Sequence, residues 1–146
     1  MIVVDSSVWI DFFNGTVTPQ VLALKAFSNK KLIVVGDLVM CEVLRGERTD
    51  QNAQRAERTL RTFRVEPILS PRLAVLAAAN YRRLLAKGRT VAIVDLIIGT
   101  YCIASGYSLL HNDADFRAMQ EHLGLLVINS TPEVREVPAP YVARAA

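Results

Sequence analysis

Residues 1–13 read MIVVDSSVWIDFF, and the order of residue types within them decides how the rest of the chain is read. Ile2, Val3 and Val4 are all β-branched, the composition of a short strand packed on both faces. The run stops on a carboxylate, Asp5, with the hydroxyls of Ser6 and Ser7 directly behind it. A strand that ends on short oxygen side chains and continues into an apolar helical pattern is the start of a strand–helix unit. A charge at the end of a buried strand also needs a partner.

Working outward, apolar runs bounded by turn signals predict five short strands: Ile2 to Val4, Leu32 to Val35, Val65 to Leu69, Ser108 to Leu110 and Leu125 to Ile128. Helical patterns lie between them, including one from Pro71 to about Lys87 and another from Val91 to Ser105. Thr18, Asp37, Asp50, Ser70 and Thr90 are expected to cap helix N-termini, because a short oxygen side chain satisfies orphan N–H groups of the first turn. Gly46, Gly88 and Gly106 are expected to end helices. Pro67 cannot donate to a ladder, so the third strand belongs at a sheet edge. Strands alternating with helices imply a parallel sheet with right-handed crossovers, an α/β layered fold. An order 3-2-1-4-5 would make the first and fourth strands neighbours at the switch point, where functional crevices of such sheets lie.

At 146 residues and 51% apolar composition, the chain is expected to form one folded domain over residues 1–130, with an irregular Pro-containing tail over 131–146. Asp5 and Asp11 interrupt the N-terminal apolar stretch, and no charge-free run reaches membrane-spanning length, so the expected location is cytoplasmic. The two cysteines, Cys41 and Cys102, sit in helix-like apolar patterns and are expected to be small core residues. Net charge is only +3, yet no acid occurs from Pro67 to Val94, where Arg72, Arg82, Arg83, Lys87 and Arg89 stand. Six arginines between Arg45 and Arg64 are mixed with Glu47, Asp50 and Glu57. Such stretches either solvate helix faces or track a polyanion.

Four acids stand where solvated acids do not. Asp5 closes the first strand and Asp113 follows the fourth; helix capping is the competing explanation for each. Asp95 is the one charged side chain between Arg89 and Asp113, in the apolar stretch VAIVDLIIGTYCIA, so burial is expected there. Glu42 falls on the apolar face of DLVMCEVLRG, with pairing to Arg45 as the competing reading. No lysines in these apolar patterns balance them, so the four acids together suggest one negatively charged site for a divalent cation. Oxygen ligands favour Mg²⁺ or Mn²⁺ over zinc. His111 and His122 are too isolated to suggest zinc, and DADFRAM lacks the ligand spacing of a calcium loop.

VVDSSVWIDFF, the Glu42 to Gly46 stretch E-x-x-R-G, Asp95 in its apolar helix and HNDADF at 111–116, taken in order and spacing, resemble PIN-domain ribonucleases, most closely the VapC-type toxins of toxin-antitoxin pairs. The resemblance implies a three-layer α/β/α PIN fold and Mg²⁺ or Mn²⁺ as cofactor. It assigns the metal-binding and catalytic quartet to Asp5, Glu42, Asp95 and Asp113, with Ser7 and Asp115 as auxiliary groups. His111 departs from the threonine common at that place. The implied reaction is hydrolysis of RNA phosphodiesters by a metal-activated water. A homodimer, and a cognate antitoxin whose C-terminal segment blocks the site, are implied as well. The competing functional class is a catalytically silent PIN-like module that binds RNA or protein. A haloacid-dehalogenase phosphatase would need an aspartate where Ser7 stands, and a receiver domain would need one ending the third strand, where Ile68, Leu69 and Ser70 stand.

Overall fold

The computed structural model describes residues 1–27 and 29–129, so the tail expected over 131–146 lies outside the described residues. Five parallel strands, β1 (Ile2–Val4), β2 (Ile33–Gly36), β3 (Arg64–Glu66), β4 (Ser108–Leu110) and β5 (Leu126–Val127), form one sheet ordered 3-2-1-4-5. The switch point therefore falls between β1 and β4, as the sequence predicts. All four positions of β2 are buried. Both sheet faces must then be covered, as in parallel sheets generally.

The cover comes from two helix groups. α1 (Ser6–Phe13) packs against α2 (Pro19–Ala26) and α3 (Asp37–Arg45), and α3 against α4 (Asp50–Leu60). α5 (Pro71–Ala86) packs against α6 (Ile93–Ser105) and α7 (Arg117–Leu123). Trp9, only 1% exposed, anchors the first group by packing its ring against Phe12, Phe13 and Phe63. In the second group Gly99 sets the approach of α6 to α7: a methyl placed on it would meet Sδ and Cε of Met119 at 2.5 Å. Gly99 lies one turn after Asp95, so this close approach also brings the segment after β4 up to that carboxylate.

Several boundaries differ from expectation for identifiable reasons. β3 ends at Glu66, which leaves Pro67 just beyond the ladder it cannot join, while the edge position holds. Thr18 and Ser70 cap their helices, accepting from Val21 N and Leu73 N, but α4 is capped by Thr49 rather than Asp50. Asp37 lies within the first turn of α3 instead of capping it. Its carboxylate accepts from Leu38 N and Ile68 N, tying the start of α3 to the segment after β3. α6 starts at Ile93, behind Ala92 and without a side-chain cap, so Thr90 caps nothing there. Cys102 is buried, but Cys41 is exposed: α3 turns Val39 and Val43 inward, and the residue midway between them points away. Among the described residues no helix is long and apolar enough to cross a membrane.

Candidate metal centre

The carboxylate that ends β1 is held on one side only. Asp5 N–H donates to Leu110 O at 2.9 Å, extending the pairing of β1 with β4 by one residue, and its side chain caps α1. Oδ2 accepts from Ser7 N at 3.0 Å and from Ser7 Oγ at 2.7 Å. Oδ1 is buried and has no hydrogen-bond partner among the described residues. Ser7 Oγ also accepts from Asn112 N at 3.0 Å, while Asn112 Nδ2 donates to Asp11 Oδ2 at 3.3 Å. The loop after β4 is thereby latched onto α1, and the Ser7 hydroxyl is fully engaged in orienting Asp5.

Beyond that latch the backbone tightens. His111 Nδ1 accepts from Asp113 N at 3.1 Å, and Asp113 Oδ1 accepts from Asp115 N at 2.9 Å, capping a single 3₁₀ turn over Ala114–Phe116. Since Nδ1 accepts, the neutral imidazole carries its proton on Nε2, which is buried without a partner among the described residues. The ring packs 4.9 Å from Phe116. Burial lowers its pKa against the pull of Asp5 and Asp113.

Opposite this turn lies Asp95, in the first turn of α6 and half-buried rather than enclosed. Carboxylate oxygens of Asp95, Asp113 and Asp115 lie within 4.8 Å of one another. Asp5 and Glu42 stand outside that trio yet act on it. The Asp95 pKa is pushed up to about 7, first by burial and then by Asp5, Asp113, Glu42 and Asp115. Glu42 is raised by burial and by Asp5, with Ser6 and Arg45 pulling the other way. Burial raises Asp5 in spite of its hydrogen bonds to Ser7. Like charges this close hold protons unless a cation joins them.

The donor set suits a divalent cation that prefers oxygen. The Asp95, Asp113 and Asp115 trio offers only carboxylate oxygens, and among the described residues Oδ1 of Asp5 and Oε1 of Glu42 are buried without partners. No arginine or lysine is among the groups that shift Asp95 or Asp5. All six residues singled out in the sequence therefore fall in one region, at the carboxyl ends of β1 and β4. The sequence reading missed Asn112 and Asp11, which latch the loop after β4 onto α1, and Ser6, which lowers the Glu42 pKa. Their signal is positional: each lies within one residue of a singled-out acid or serine, or one helical turn from it.

A family model described as the PIN domain matches residues 2–121. Ribonuclease VapC11 of Mycobacterium tuberculosis is 28% identical over 122 residues, which cover 80% of this chain and 89% of that protein. Among solved structures, a toxin-antitoxin complex from Klebsiella pneumoniae superposes with a TM-score of 0.67 at 20% identity, covering 89% of this chain and 98% of that one. Mycobacterium tuberculosis VapC20, a sarcin-ricin loop cleaving toxin, superposes with a TM-score of 0.63 at 21% identity, covering 81% and 94%. With its strand order, its acid-lined switch point and a family match over most of its length, the chain belongs to the PIN domain family and is a distant homologue of the VapC ribonuclease toxins.

Proposed function

We propose that this protein is a metal-dependent endoribonuclease and the toxin of a toxin-antitoxin pair, acting in the cytoplasm as a homodimer and held in check by a cognate antitoxin. The observation that carries the reading is the convergence of five carboxylates at the switch point, with no arginine or lysine acting on Asp5 or Asp95, in a chain of this family. The homologous ribonucleases and the toxin-antitoxin complex of the same fold support the substrate and the partner.

In this reading Asp5, Asp95 and Asp113 hold Mg²⁺ or Mn²⁺, Glu42 completes the set, and Ser7 and Asp115 assist. Such a cation supplies Lewis acidity that polarises a phosphodiester and makes water a competent nucleophile. The protein's own residues do the rest. Ser7 fixes one oxygen of Asp5 and leaves Oδ1 free for a ligand. The Asp113–Asp115 turn keeps its two carboxylates on one side. Neutral His111 adds no competing positive charge beside Asp5.

The test is cleavage of single-stranded RNA by the purified protein with Mg²⁺, with Mn²⁺ and with a chelator. The reading expects cleavage with either ion, none with chelator, and at least a hundredfold loss in Asp113→Asn. RNA left whole by a protein that binds both metal and RNA would establish the silent binding module instead.

A further inference from the structure

Beside the acidic cluster lies a second, chemically different cleft of about 520 Å³, and the two share Asp113 as a wall. Four side-chain amides line it: Gln20 from α2, Asn112 from the loop after β4, Gln120 from α7 and Asn129 from the segment after β5. Arg117 is the cation among its lining residues, and Val127 and Ile128 supply apolar surface. Asn112 donates through Nδ2 to Asp11, which leaves its Oδ1 as an acceptor, and no hydrogen bond within the protein engages the side chains of Gln20, Gln120 and Asn129 among the described residues.

The lining chemistry identifies the occupant. A phosphate track needs several cations, and here one arginine lines the cleft together with the Asp113 carboxylate. Carboxamides present a donor and an acceptor side by side, the pattern that matches the edges of nucleobases. Unstacked bases of single-stranded RNA expose those edges and one apolar face. Whatever phosphate is held at Asp113 has a neighbouring nucleoside, and this cleft opens directly beside it.

We propose that the amide-lined cleft between α2, α7 and the segment after β5 is a nucleobase-binding subsite, in which Gln20, Gln120 and Asn129 read the base of a nucleotide flanking the scissile phosphate. The inference rests on the ribonuclease reading given above. It makes the base preference of cleavage a property of these three side chains and not of the acidic residues.

The experiment compares wild type with Gln120→Ala and Asn129→Ala on an RNA pool randomised around the cut, reading product ends by sequencing. The subsite predicts that wild type favours one base at a position adjacent to the cut. Each variant should flatten that preference and lose about tenfold in kcat/KM on the favoured sequence, the scale of one base-edge contact. The rise in Tm produced by Mn²⁺ should survive in both. No preference in wild type, or an unchanged preference in both variants, would overturn the subsite while leaving the ribonuclease reading intact. If wild type cuts no RNA, the ribonuclease reading fails and binding decides the subsite. Metal-free protein is titrated with the four nucleoside 5′-monophosphates and with ribose 5-phosphate, following the Gln120 and Asn129 side-chain amides by NMR. Base-dependent shifts support the subsite; no shifts, or the same shifts from ribose 5-phosphate, refute it.

Discussion

Asp95 is the residue on which metal-free stability and activity pull in opposite directions. Its carboxyl is raised from 3.8 to about 7 by burial and by the neighbouring acids. A raised acid binds its proton more tightly in the folded state, so its contribution to stability is complete below pH 3.8 and is lost as pH rises through about 7. Asp5 and Glu42 are shifted in the same direction. The metal-free protein should therefore lose thermal stability from about pH 4 to pH 7, and a divalent cation should restore it at the upper end. An asparagine in place of this aspartate mimics the neutral acid. Asp95→Asn should thus stabilise the metal-free protein above pH 7 by about 1–2 kcal/mol, less than the full shift implies because the group is half-exposed and screened. That gain should vanish near pH 4, and RNA cleavage should be lost. Denaturant melts at both pH values check this; a destabilised variant at pH 8 would mean that Asp95 serves a structural ion pair.

At the scale of elements, the legible features are those set by local chemistry. The β-branched run of β1, the Pro67 signal for an edge strand and the caps at Thr18 and Ser70 each depend on one or two neighbouring residues. The strand order, with β1 beside β4, was legible from the alternation of strands and helices, but finer contacts across the fold were not. Asp95 reads as buried because its apolar helical pattern runs from Val91, whereas α6 starts at Ile93 and places the acid, half-buried, in its first turn. The Asn112–Ser7 hydrogen bond joins residues 105 positions apart, and no periodicity announces it. Gly99 shows both sides. Its size suggests close approach, but only the fold shows that Met119 is the neighbour. A methyl there must displace the flexible end of Met119, and with it α7. We expect Gly99→Ala to cost about 1–3 kcal/mol, an overpacking penalty, and to weaken Mn²⁺ binding by shifting Asp113 and Asp115. Denaturant melts together with Mn²⁺ titration check both effects; unchanged metal affinity would mean that the α6–α7 approach does not position the site.

For the whole molecule, the proposed ribonuclease activity requires a path for RNA across the surface. The α5 cations Arg72, Arg82, Arg83 and the adjacent Lys87 are exposed, but Arg89 is paired with Glu121 at 3.0 Å. On the other side Arg61 is paired with Glu57 and Arg64 with Glu66, which leaves Arg45, Arg48, Arg55 and Arg58 without ion pairs among the described residues. Arg82 and Arg83 diverge by about 100° around α5, so one of the two at most faces the acidic site. We expect Arg82→Gln or Arg83→Gln to weaken binding of RNA and to flatten its salt dependence by about one ion, measured in an Asp5→Asn background that silences cleavage. Salt slopes identical to the parent's for both variants would assign the pair to ordinary surface and move the path to the Arg45–Arg58 side.

The central claim is that the acids at the β1–β4 switch point form a divalent-metal site that drives RNA cleavage. Its most direct test is the initial rate of single-stranded RNA cleavage against Mn²⁺ concentration, at pH 8, for wild type and Asp95→Asn. The account predicts saturable activation of the wild type from no activity in chelator, and a rate at least a hundredfold lower in the variant at every concentration. Cleavage that persists in chelator, or a variant that follows the wild-type curve, would contradict it.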